Sequence, residues 1–213
     1  MGSSVELSIH KFYRYTLRNG TIKRTQVKIS NTLYVTDPKG WRKWLKQHYK
    51  TETEIWLVYP KKATGKPRIE YNDAVEEALC FGWIDSIIKT LDDEHTVQRF
   101  SPRKPKAKYS QANIERLRTL VAEKKVIKEV ADTLTDVLNA EFIIPPDILK
   151  AIQANKETWK NFQGFSDAYI RIRVAFIDGA RKRPEEFKKR LRYFIEMSAK
   201  NKQIGFGGIE KHY

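Results

Sequence analysis

Residues 83–102 read WIDSIIKTLDDEHTVQRFSP. Two runs rich in β-branched and aromatic residues flank the acidic pair Asp92-Asp93, the pattern of two strands joined by a turn. Beyond Pro102 the apolar residues recur at three and four, a helical period. This switch predicts an α+β chain: a small mixed or antiparallel sheet with packed helices, followed by a helical C-terminal half.

Immediately upstream, RIEY leads into a helix in which Val75, Ala78 and Leu79 form the buried stripe. Asp73 and Glu76 are spaced as a capping box, and Gly82 ends the helix. Before it, EIWLVYP is a short strand closed by the basic turn KKATGKP. Further upstream, Asp37 caps a helix whose first position is Pro38, with Trp41, Trp44, Leu45 and His48 on one face. Residues 1–30 alternate polar and apolar in VELSIHKFY and TIKRTQVKIS around Asn19-Gly20, which reads as a hairpin or a basic N-terminal extension.

Downstream, the helical pattern covers 110–123, 124–139, 146–154, 156–163, 167–181 and 185–200. Pro145-Pro146 marks a joint, since neither residue donates a backbone hydrogen bond. The expected organisation is therefore an extension over 1–30, an α+β domain over 31–140 and a helical module over 141–213.

Among 213 residues, 41 Lys and Arg face 26 Asp and Glu, a formal charge of +15. Such a surplus favours polyanions, nucleic acid among them, although a merely solvated basic surface has the same composition. The single cysteine, Cys80, permits no internal disulfide, and four scattered histidines offer no zinc spacing. No GxSxG, phosphate-loop or dinucleotide word occurs, so neither a cofactor nor a metal is expected. The opening residues lack a basic leader followed by an apolar run, and no apolar stretch is long enough to span a bilayer. A cytoplasmic protein is the expectation.

Two constellations carry candidate chemistry. The strand WIDSII puts Trp83, Asp85 and Ile87 on one face by its two-residue period, which leaves Asp85 in an apolar setting that demands a partner. Arg103, Lys61 and Lys62 are the cations at hand. A bidentate Asp85–Arg103 contact would build an anion-sized site with Tyr71, Glu77, Ser110 and Asn113 lining it. A structural ion pair is the plainer reading. The second constellation is basic: Arg99 to Lys128 holds ten cations, with Lys104, Lys106, Lys108 and Arg116 as phosphate-contact candidates among Phe100 and Tyr109. Lys188, Lys189 and Arg192 extend this character to the last helix. Cys80, without a histidine close in sequence, reads as a small buried hydrophobe.

The words LYVTDPKGWRKWLKQH (33–48), EIWLVYPKK (54–62), IEYNDAVEEALCFGWIDS (69–86), RFSPRKPKAKYSQANIERL (99–117) and ARKRPEEFKKRLRYFIEMSAKNKQ (180–203) together resemble the YdeI/OmpD-associated, bacteriocin-protection family over about residues 32–202. Tyr109 stands where that family has tryptophan, and Glu186-Phe187 replaces its threonine-arginine pair. The resemblance implies a protein without an assigned reaction, from a family named for bacteriocin protection and association with an outer-membrane porin, with a role in stress or bacteriocin resistance as the expectation. Two function classes follow: a binding protein for an anionic or phosphate-bearing partner, or an enzyme acting on a small acidic substrate around Asp85 and Arg103.

Overall fold

The computed structural model describes residues 13–18, 21–26, 28–105, 107–205 and 207–213, with side chains from Lys28 onward. Two compact units divide the chain, 1–104 and 105–213. The division falls where the apolar period changes.

In the first unit, β1 (Tyr13–Arg18) pairs antiparallel with β2 (Thr21–Gln26), and Arg18 opposite Thr21 leaves two residues in the connection. Asn19 and Gly20, around which the hairpin is expected, lie outside the described residues. The first strand lies later than VELSIHKFY, most of which also falls outside them.

The main sheet has the order β3-β4-β6-β5, from β3 (Thr32–Leu33), β4 (Ile55–Pro60), β5 (Trp83–Thr90) and β6 (His95–Pro102). β3 runs parallel to β4, and the other pairings are antiparallel, so the sheet is mixed. The turn between β5 and β6 is held by Asp92, whose Oδ1 accepts from the backbone N–H groups of Glu94 and His95, both at 2.8 Å. An aspartate two and three residues ahead of free N–H groups is the local reason for the reversal.

Two helices cover one face. α1 (Pro38–His48) opens as expected, with Asp37 Oδ1 accepting from Gly40 N at 2.9 Å. Trp41 and Leu45 are fully buried, and the Trp41 ring meets Phe100 edge-on at 5.5 Å. α2 (Tyr71–Cys80) begins two residues before the expected capping aspartate. Asp73 therefore sits in the first turn rather than at the cap, and Glu76 is buried, so no capping box forms. The indole N–H of Trp41 donates to Ala74 O at 3.0 Å, tying α1 to α2 without leaving a buried donor unsatisfied. Gly82 adopts φ 72°, the left-handed conformation that ends α2. On the other face of the sheet, Trp56, Val58 and Val97 form a smaller cluster with Ile29 and Leu91.

The second unit is helical. It comprises α3 (Gln111–Ala122), α4 (Lys128–Ala131), α5 (Thr135–Asn139), α6 (Pro146–Gln153), α7 (Lys156–Phe162), α8 (Asp167–Asp178) and α9 (Pro184–Ala199). The stretch 124–139, read from sequence as one helix, is two short ones. Lys124 takes φ 56°, which breaks the helical path, and fully buried Leu134 pins the turn between the pieces. Ile148, Ile152, Phe162, Tyr169, Val174, Ile177 and Phe194 make the core. The packing places 105–140 with the helices that follow, because α3 lies against α5 and α8. Pro146 opens α6 within this unit. No described helix is long and apolar enough to cross a membrane.

Candidate functional site

The two-residue period of β5 is interrupted by a bulge between Asp85 and Ile88. Trp83 and Asp85 face the helices as alternation predicts, but Ile87 packs with the Trp56 and Val58 cluster on the opposite side, and Ile88 is exposed. One extra residue reverses every later side chain.

Asp85 lies opposite Phe100 in the β5–β6 ladder. Its Oδ2 accepts from the Tyr71 hydroxyl at 2.9 Å and from Gln98 Nε2 at 2.8 Å. Neutral donors thus meet this carboxylate. Arg103 lies beyond the end of β6, where its backbone N–H donates to Gly82 O at 2.9 Å. Close to Asp85, Tyr59 is 7% exposed, and its hydroxyl is buried with no hydrogen-bond partner among the described residues. Burial pushes the Tyr59 phenol well above its ordinary range, and the neighbouring Tyr71 and Asp85 push it further. The sheet edge at α2 therefore carries a small polar cluster of two tyrosines, a glutamine and a carboxylate.

The other expected lining residues are engaged elsewhere. Glu77 forms an ion pair with Arg42 at 2.7 Å. Ser110 and Asn113 belong to the second unit: the Ser110 hydroxyl caps α3 by accepting from Asn113 N, and Asn113 Oδ1 accepts from Arg116. Cys80 is fully buried at the end of α2. Among the described residues no three His, Cys, Asp or Glu side chains are grouped so as to hold a metal ion.

Charge density in sequence does not carry over to the surface between Arg99 and Lys128. Arg99 is paired with Glu54 at 2.5 Å, Lys125 with Glu123 at 2.7 Å and Lys128 with Asp132 at 2.8 Å. Arg116 is 7% exposed, which removes it from any phosphate-contacting set. Its helix position faces the core, and the amphipathic pattern of α3 did not reveal that. Lys104 and Lys108 are exposed, while Lys106 lies outside the described residues.

The end of the chain is different. In the turn before α9 and along it, Arg181 is paired with Asp147 and Asp178, Lys188 with Glu185, and Arg190 with Glu186. Lys182, Arg183, Lys189 and Arg192 are exposed and form no ion pair among the described residues, although Lys189 and Arg183 help Arg190 hold the Glu186 carboxyl below its usual range. Lys189 and Arg192 stand three apart on α9, and Tyr193, 49% exposed, follows beside them. An aromatic ring open to solvent between cations is the missed feature here. Its signal was available, because the stripe of Phe187, Leu191 and Phe194 leaves Tyr193 on the other side.

Two segments of the chain match known families. Residues 33–132 match the family described as Domain of unknown function (DUF8412). Residues 141–201 match the family described as Bacteriocin-protection, YdeI or OmpD-Associated. The likeness read from sequence words runs over 32–202, whereas the second match covers its C-terminal part, and the words FGWIDS and RFSPRK fall within the first. No curated protein and no solved structure matches the chain.

Proposed function

We propose that this chain is a binding protein for a phosphate-bearing polymer, engaged by the basic face of α9, which lies within the segment 141–201 that matches the Bacteriocin-protection, YdeI or OmpD-Associated family. The observation that carries this reading is the pair of exposed cations Lys189 and Arg192, neither in an ion pair among the described residues, beside the exposed ring of Tyr193. Exposed cations outside ion pairs exchange their counterions for phosphates, and a solvent-facing tyrosine offers a platform for an unpaired base. The preferred polymer is single-stranded nucleic acid, since stacking needs bases that are not enclosed in a duplex.

The test is binding of a fluorescent single-stranded oligonucleotide across a salt series. Lys189→Gln with Arg192→Gln should lower the salt slope by roughly 0.7 for each lost contact. Tyr193→Ala should weaken binding by about tenfold and leave that slope unchanged. Gln at Lys128, which is already paired with Asp132, serves as the control. Absence of salt-dependent binding, or an equal effect of the control, overturns the proposal.

A further inference from the structure

A cleft of about 560 Å3 lies in the second unit between α3, the segment 138–144 and the first turns of α8. That volume suits a small molecule. Its floor is Arg171, whose Nε and Nη2 donate to Glu115 Oε1 and Oε2 at 2.7 and 2.8 Å. Glu115 is 2% exposed and also accepts from Gln111 Nε2 at 2.7 Å, so its charge is fully met.

Because Glu115 is satisfied, Arg118 is in excess. Its Nε makes only a loose ion pair with Glu115 Oε2 at 3.7 Å and is buried with no hydrogen-bond acceptor among the described residues, while the partly exposed side chain lines the cleft. The reverse holds for the acids. Asp167 is one turn from Arg171 on α8, but Arg171 is committed to Glu115, and Asp167 enters no ion pair among the described residues. Glu141, on the same rim, enters none either. Half-buried Leu138, Phe142, Ile144 and Ile170 supply an apolar wall between these groups.

Two guanidiniums and two carboxylates therefore line a partly apolar cleft, with Glu115 buried behind Arg171. A simple anion meets no net attraction there, and a simple cation leaves Arg118 unsatisfied. We infer that the cleft binds a zwitterion with an apolar body, an aliphatic amino acid or short peptide, its carboxylate on Arg118 and its ammonium on Asp167 and Glu141. The planar fork of arginine suits a terminal carboxylate, and charge-assisted bonds at both ends fix the ligand's direction. This site shares no residue with the basic face of α9, so the two proposals stand or fall separately.

The probe is the dipeptide leucyl-leucine, titrated calorimetrically into the full chain beside its N-acetylated and C-amidated forms. The free dipeptide should bind saturably at one site, and either cap should weaken binding by at least about tenfold. Arg118→Gln should abolish only the preference for a free carboxylate, with Arg118→Lys as a milder second variant. Asp167→Asn combined with Glu141→Gln, both at exposed positions, should abolish only the preference for a free amine. No saturable binding of the dipeptide, equal binding of the capped forms, or unchanged preferences in the folded variants overturns the inference.

Discussion

Arg171 on α8 grips the carboxylate of Glu115 on α3 with two parallel hydrogen bonds, across 56 residues of sequence. Glu115 is buried, so removing its partner leaves a charge with only Gln111 and a displaced Arg118 nearby. Arg171→Ala should destabilise the second unit by about 3 kcal/mol, near the lower end for a broken buried pair because Arg118 can close its 3.7 Å gap. Replacing both partners, Glu115→Leu with Arg171→Met, should recover most of that loss. Urea unfolding of the single and double variants measures both, and a double variant no better than the single would show that the pair does more than cancel its own charges.

Asp85 gives a second contrast. A carboxylate held by arginine would cost roughly 3–5 kcal/mol to remove, since a buried cation would remain. Here the group left behind is the Gln98 amide, 4% exposed, together with the Tyr71 hydroxyl. Asp85→Ala should therefore cost about 1–3 kcal/mol, and Asp85→Asn, which keeps an acceptor in place, under about 1 kcal/mol. Thermal melting of the two variants decides between a neutral network and an ion pair.

Acid stability depends on Glu54. Burial raises its proton affinity, but hydrogen bonds from Ser30 and Arg99, at 2.6 and 2.5 Å, outweigh that and hold its carboxyl below the usual range. A lowered folded pKa means that the unfolded chain takes up the proton first as pH falls. The stabilisation is thus complete above about pH 4.3 and is lost below it. Glu54→Gln should lower stability at neutral pH and make the acid limb of the stability curve shallower. Parallel acid limbs in wild type and variant would refute this linkage.

The fold was legible where one local signal sufficed. Asp37-Pro38, Gly82 and the acidic turn at Asp92 each act through the adjacent backbone, and the structure uses them as their chemistry dictates. What was not legible depends on pairing across distance. The β5 bulge is visible only against β6, and it sends Ile87 to the far face. Gln98 could have been suspected as a partner for Asp85, since alternation along β6 puts it on the side of Phe100. The engagement of Arg116 and Arg171 could not, because each partner choice depends on how α3 packs. Counting cations along Arg99 to Lys128 misjudges the surface for the same reason: Glu54, distant in sequence, pairs with Arg99, and burial takes Arg116 from the surface.

Tyr59 provides the last test, and it concerns a group that the folded chain does not satisfy. Its hydroxyl is buried beside Asp85 and Tyr71 without a partner among the described residues. A buried donor left unmade is a cost, so Tyr59→Phe should leave stability at neutral pH unchanged or raise it by up to about 1 kcal/mol. The alkaline side adds a sign. Burial raises the folded pKa, so the unfolded chain releases this proton first, and stability declines as pH rises past about 10. Phenylalanine has no proton to release. The advantage of Tyr59→Phe over wild type should consequently widen between neutral and alkaline pH, although Tyr169 and Tyr213, raised by burial too, keep part of the wild-type decline in both proteins. Urea midpoints of the two proteins at neutral and alkaline pH report that widening directly. A variant that loses more than about 1 kcal/mol at neutral pH would mean that the hydroxyl is bonded in solution, and the cluster around Asp85 would then be a complete network rather than one with an open donor.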